Sequence, residues 1–161
     1  MALGVWGSIP LIAGMLGDIV GGSLSDFILK RTGNARLARR GVAAPGFLLA
    51  GVFVVPAAMV GDATLSILFL ATSFFFLEWV IGPAWAVPMD VGGRFSGTVT
   101  GVMNMAGALA GSLTPIVYGT LFGQGYWVAP FMVSAAVMTL GALIWTFLID
   151  ASKSVVTAET V

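Results

Sequence analysis

A chain of 161 residues that is 58% hydrophobic and 9% charged, with a mean hydropathy of +1.03, lies far outside the composition of a soluble globular domain and reads as a membrane protein. Seven basic and seven acidic residues give a formal net charge of zero, so nothing global favours nucleic acid or an acidic partner. The absence of cysteine and histidine excludes disulfides, thiol nucleophiles, thiolate metal sites and the commonest catalytic base, and no enzyme, metal or cofactor motif stands in their place.

A bilayer core requires about 20 apolar residues per helix, and the chain divides into five such stretches, roughly 4–29, 41–61, 64–88, 96–122 and 127–149. The first begins "MALGVWGSIPLIAGMLG", with no basic n-region and no small-residue cleavage site before the apolar run continues, so it is expected to stay in the protein. It carries Gly14, Gly17, Gly21 and Gly22, including the small-xxx-small pair Gly17/Gly21, which predicts close packing against a neighbouring helix. Two acids share this span. Asp26 lies at its end, four residues before Lys30 and five before Arg31, where a local ion pair or a cap on a neighbouring helix terminus is feasible. Asp18 is eight residues earlier, about 12 Å along the helix, and so near mid-membrane. A carboxylate there is costly unless paired, hydrated or protonated, and two readings stay open: a proton-titrating or cavity-lining acid, or a neutral Asp bonded to a neighbouring helix.

The run "KRTGNARLARR" separates the first span from the second, and "GD" at 61–62 separates the second from the third. The third span contains "FFFLEWVIGPAWAVP", in which Glu78 is deep in the apolar run with no basic residue inside any predicted helix. Glu78 is either a proton carrier or an acid facing a helix interface. Trp85 in the same stretch is a weaker candidate for substrate contact, equally explicable as packing. After the loop "MDVGGRFSG", whose Asp90 and Arg94 read as loop anchors, the fourth span "GVMNMAGALAG" presents Gly97, Gly101, Gly107 and Gly111 and is likewise expected to pack closely. Asn104 at its centre can both donate and accept hydrogen bonds, to a polar substrate or to another helix. "FGQGY" leads to the fifth span, and a polar tail occupies 150–161. Pro10, Pro56, Pro83, Pro88, Pro115 and Pro130 lie in or at the ends of the spans and predict bent helices.

All seven basic residues (Lys30, Arg31, Arg36, Arg39, Arg40, Arg94 and Lys153) follow the first, third or fifth span, which lie on one side of the membrane. The positive-inside rule makes that side cytoplasmic, with the N-terminus outside and the C-terminus inside. Trp6, Tyr126 and Trp127 then fall near the outer interface, where amphipathic rings are favoured.

"GGSLSD" followed by "KR" at 21–31 resembles the motif between adjacent helices of the major facilitator superfamily, with Gly22, Leu24, Asp26, Lys30 and Arg31 at the matching positions. "GPAWAVPMDVGGRFSGTVTGVMNMAGALAGSLTPIVYG" at 82–119 is similar to the tenth and eleventh helices of the anion:cation symporter family within that superfamily. The resemblance implies an all-α integral membrane fold in which the five spans are helices eight to twelve of a twelve-helix transporter, an incomplete six-helix half in the bilayer. It implies proton-coupled symport of a small organic anion such as a sugar acid, with Asn104 facing the substrate and Gly22, Asp26, Lys30 and Arg31 forming a conformational latch. Partners are then the bilayer, the anion, the proton, and either the N-terminal half of the transporter or a second copy of the chain. The spans hold no Lys or Arg that could bind an anion, so on this reading the positive group belongs to the other half. Two rivals remain: a truncated inactive fragment, and a non-transporting membrane interaction protein whose glycine faces drive association.

Overall fold

The computed structural model describes residues 2–153, with side chains from Trp6 onward; the tail beyond Lys153 lies outside the described residues. Those residues form six α-helices and no strand: α1 (Ala2–Thr32), α2 (Ala35–Met59), α3 (Ala63–Glu78), α4 (Ile81–Gly92), α5 (Ser96–Gly123) and α6 (Ala129–Phe147). Four helical stretches are long and apolar enough to cross a membrane: 6–32, 35–59, 63–123 and 129–147. The third, at 61 residues, contains α3, α4 and α5. At 1.5 Å per residue one continuous helix of that length would measure about 90 Å against a bilayer core of about 30 Å, and the chain turns within it at Gly93. The protein is a multi-pass membrane helix bundle.

Each boundary has a local cause. Gly33, at φ +64°, ends α1, its N–H reaching Leu29 O at 2.8 Å in the left-handed cap that glycine alone adopts without a Cβ penalty. Asn34 then caps α2 by accepting from Leu37 N–H at 3.0 Å, and Asp62 caps α3 by accepting from Leu65 N–H at 2.8 Å. Gly93, at φ +48°, turns the chain between α4 and α5 through a single 3-10 turn, and Gly125, at φ +82°, follows α5.

The span expected over 64–88 is two helices rather than one. Pro83 has no N–H to offer the carbonyl of Trp79, so the ladder is interrupted there and the chain turns at Trp79–Val80 before α4 begins. The break lies inside the bundle because glycine faces on two helices make room for it. A Cβ on Gly17 would fall onto the Phe75 carbonyl and one on Gly21 onto the Trp79 backbone, while a Cβ on Gly82 would approach Gly22 Cα to 2.7 Å. From the other side, a Cβ on Gly46 of α2 would lie 2.9 Å from Phe76 O. The close packing expected of the first span is therefore present, with α3 and α4 as its partner.

Small residues fill the centre of the bundle. Ala43 and Ala44 of α2, Val80 at the break and Trp145 of α6 form one buried cluster, and Phe53, Phe69, Phe76 and Trp79 continue it as an aromatic column with ring centroids 5.1–6.4 Å apart. The expectation for the fourth span fails within this chain. α5 has no buried residue, and Gly97, Gly101, Gly107 and Gly111 have no atom within 4 Å of where a Cβ would be.

Candidate functional site

Arg39 organises the end of the bundle where α1 meets α2. Its side chain is 6% exposed, and its Nε donates to Asp90 Oδ2 of α4 at 2.8 Å while Nη1 donates to Asp26 Oδ1 of α1 at 3.2 Å. Nη1 also donates to Ser25 Oγ at 2.8 Å, and that hydroxyl, fully buried, donates in turn to Ala38 O at 3.2 Å. A planar guanidinium with a fork of donors can satisfy two carboxylates and a hydroxyl at once, which an ammonium cannot do with the same geometry. Three helices are thus tied at one point.

The partner of Asp26 is therefore Arg39 of the next helix and not Lys30 or Arg31. Arg31 stacks over the Phe27 ring at 5.2 Å, and Lys30 is exposed. Gly22 lies against Gly82 rather than in the charge cluster. Asp90, read from the sequence as a loop anchor, is the second carboxylate of the network. Neither Arg39 nor Asp90 stood out because Arg39 is one of five basic residues in an eleven-residue run that serves orientation equally well. The signal available was that Asp90 is the single acid closing the third apolar stretch at the same end.

A second tie lies beside it. Arg36 Nε donates to Asp150 Oδ1 at 2.9 Å, Arg36 Nη2 pairs with the other carboxylate oxygen, and Arg40 Nε donates to the carbonyl of Ile149. The Arg36 guanidinium, helped by the Ser152 hydroxyl at 2.6 Å, holds the Asp150 carboxyl well below the usual carboxylate range. A polar groove of about 690 Å³, lined by Thr32, Asn34, Arg36, Asp90 and Ser152, runs between the two ties.

The two membrane-embedded acids come together from different helices. Glu78 is the last residue of α3, directly before the break, and its Cγ lies 3.0 Å from where a Cβ on Gly14 would be. Gly14 is one helical turn from Asp18 on the same helix, which puts the two acids at neighbouring levels of α1 and α3. Neither forms a salt bridge among the described residues, Asp18 being exposed and Glu78 half-buried. At the same break the Trp79 indole Nε1 is buried without a hydrogen-bond partner among the described residues. Asn104 is not part of this grouping. It lies exposed on α5 and makes no hydrogen bond among the described residues, while Trp85, on α4, is 41% exposed.

No family model matches the chain. Individual relatives do. Over 147 residues, 91% of this chain and 34% of the relative, it is 41% identical to a probable sulfoacetate transporter of Cupriavidus necator. It is 34% identical over 117 residues, 72% of this chain and 26% of the relative, to a probable galactarate/D-glucarate transporter of Escherichia coli. An ascorbate transporter of Arabidopsis thaliana chloroplasts is 25% identical over 134 residues, 83% of this chain and 25% of the relative. The chain belongs to the same family as these transporters. It spans about a third of the length of the first and about a quarter of the other two. All three of these relatives are named as transporters and none as an enzyme.

Proposed function

We propose that this chain is the C-terminal portion of a secondary active transporter of the major facilitator superfamily, one that carries a small organic anion together with a proton. The observation that carries the reading is the 41% identity with a probable sulfoacetate transporter along nine-tenths of the chain. Sulfoacetate and glucarate, which appear in the names of two relatives, are both anions of small organic acids, and that chemical class is the one proposed here.

On this reading the five expected spans are helices eight to twelve of the transporter, set in the cell's inner membrane with the N-terminus outside and the C-terminus cytoplasmic. Asn104, exposed on α5 with its amide unspent, contacts substrate, with Trp85 of α4 as a second contact. Glu78 and Asp18 hold the coupled proton: two carboxylates beside one another in a membrane cannot both remain ionised cheaply, so gain and loss of a proton at that point changes the energy of the helix packing around it. Arg39, with Asp26 and Asp90, latches the cytoplasmic ends of three helices in one state and releases them in the other. Gly22, Lys30 and Arg31 support it, Gly22 by letting α4 approach. The five apolar spans read from the sequence contain no cationic residue, so on this reading the group that neutralises the anion comes from outside them, which gives the open face of α5 a partner in the remainder of such a transporter.

The test is uptake of labelled sulfoacetate or glucarate into vesicles that contain this chain together with the N-terminal portion of the Cupriavidus relative. Proton-gradient-dependent uptake above that of either part alone is the expected result. Uptake that is absent with both parts demonstrably in the membrane sinks the reading. A second reading, a membrane interaction protein without transport, is favoured by one observation, the unburied glycine face of α5. It predicts cross-linking through α5 that no organic acid protects.

A further inference from the structure

We propose that a cleft between α3, α5 and α6 is a binding site for one acyl chain of a membrane lipid. The cleft has a volume of about 420 Å³ and takes residues from four helices, Val54 of α2 being the single contribution of that helix. A neighbouring cavity of about 440 Å³ shares Leu77, Thr114, Tyr118, Ser134 and Met138 with it and extends it along α5 and α6.

The chemistry of the lining selects the ligand. No charged side chain faces either cavity. Four hydroxyls do, and each has already committed its proton. Ser73 Oγ donates to Ala50 O at 2.8 Å, Thr114 Oγ1 to Ala110 O at 3.0 Å, and Ser134 Oγ to Pro130 O at 3.0 Å. Because Ser134 spends its proton on Pro130, the hydroxyl pair with Tyr118 is made by the tyrosine donating. An organic anion would find neither a cation nor a free donor here and would leave its own water behind at full cost. A hydrocarbon chain loses nothing by entering and gains dispersion contacts that a cavity otherwise forgoes.

Size and position decide between a lipid chain and a protein helix as the occupant. A helix about 10 Å across needs about 420 Å³ for a single turn and about 2,400 Å³ to cross the bilayer, so this cleft admits less than a spanning helix requires. Every lining residue belongs to a stretch long and apolar enough to cross a membrane, so the solvent at hand is the lipid itself. The proposal stands whether or not the chain takes part in transport.

The experiment reconstitutes the 161-residue chain in phosphatidylcholine bilayers in which a fraction of the lipid carries a photoactivatable diazirine near the end of one acyl chain. Cross-linked residues are then mapped by mass spectrometry. Label concentrated on the cleft-lining residues of α3, α5 and α6, in excess over exposed positions such as Leu140 and Phe147, is the expected result. Met138→Trp, which fills the cleft, should reduce that label several-fold and leave the rest unchanged. Leu77→Phe provides the same test should the first variant lose its helical circular dichroism. Label spread evenly over all exposed apolar positions, or unaffected by both fillings, overturns the proposal. So does loss of the cleft label on co-assembly with the N-terminal portion of the relative, because the occupant would then be protein.

Discussion

Arg39 Nε stands 2.8 Å from Asp90 Oδ2 while the same guanidinium reaches Asp26 Oδ1 at 3.2 Å, so one nearly buried cation joins α1, α2 and α4. The two carboxylates differ in exposure: Asp26 is 64% exposed and Asp90 22%. Losing the cation therefore costs most at Asp90, which cannot recover full hydration. Arg39→Ala is expected to destabilise the bundle by about 1–3 kcal/mol, the range for stranding a partly buried charge and its hydrogen bonds. Arg39→Lys should restore less than half of this, since an ammonium cannot serve Asp90, Asp26 and Ser25 in one plane. Unfolding in a graded detergent mixture, followed by helical circular dichroism, checks both.

The glycines of α1 and α5 have the same sequence spacing and opposite surroundings. Gly21→Ala pushes a methyl group into the Trp79 backbone, and backbone cannot turn aside as a flexible side chain can. Overpacking of this kind costs about 1–3 kcal/mol. Gly107→Ala meets nothing within 4 Å and should raise the helix stability of the isolated chain by up to about 1 kcal/mol through propensity alone. Opposite signs for the two variants in the same unfolding assay are the expected outcome; equal destabilisation would mean that α5 is packed.

Asp150 makes the junction of α2 with the segment after α6 sensitive to acid. Its carboxyl is held below the usual range by Arg36, so its contribution is fully present above the ordinary aspartate value of about 3.9 and is lost as the pH falls towards the lower folded-state value. Asp150→Asn should flatten that part of the stability profile and leave the region above pH ~5 with the same shape but a lower level. Unfolding measured from neutral pH down to about 2 separates the two curves. Because Arg36 is 45% exposed, the difference should also shrink in high salt.

The helix pattern was legible because hydropathy and punctuation report directly on the membrane, and the two acids of interest were legible because carboxylates in apolar spans are rare. What sequence could not supply was pairing across helices. Spacing along one chain suggested Lys30 and Arg31 as neighbours of Asp26, four and five residues away, whereas the observed partner is thirteen residues on, at the start of α2. Proline and glycine at 82–83 foretold a bend, but the seat made for it by Gly17, Gly21 and Gly46 exists only once α1 and α2 flank α3. For α5 the spacing rule gave the wrong surroundings within this chain, since a small-residue face says that a helix can pack and not what it packs against.

On the proposed reading, variants of Asn104 and Glu78 should separate substrate contact from proton coupling. Asn104 is exposed and unbonded, so Asn104→Ala should change the stability of this chain by no more than about 0.5 kcal/mol. In vesicles that also hold the N-terminal portion of the Cupriavidus relative, the same variant should weaken uptake chiefly through a higher KM, because the amide's hydrogen bonds to the anion are lost while the proton path is intact. Glu78→Gln keeps the shape and the hydrogen-bonding atoms but cannot ionise. It should abolish stimulation by a proton gradient while exchange of labelled for unlabelled anion across the membrane continues. Asp18→Asn should show the same pattern, since the two carboxyls are proposed to share the coupled proton. Uptake and exchange measured side by side distinguish these outcomes. Loss of both activities in Glu78→Gln would assign Glu78 to the packing of α1 against α3, and unchanged uptake in Asn104→Ala would remove Asn104 from the substrate site.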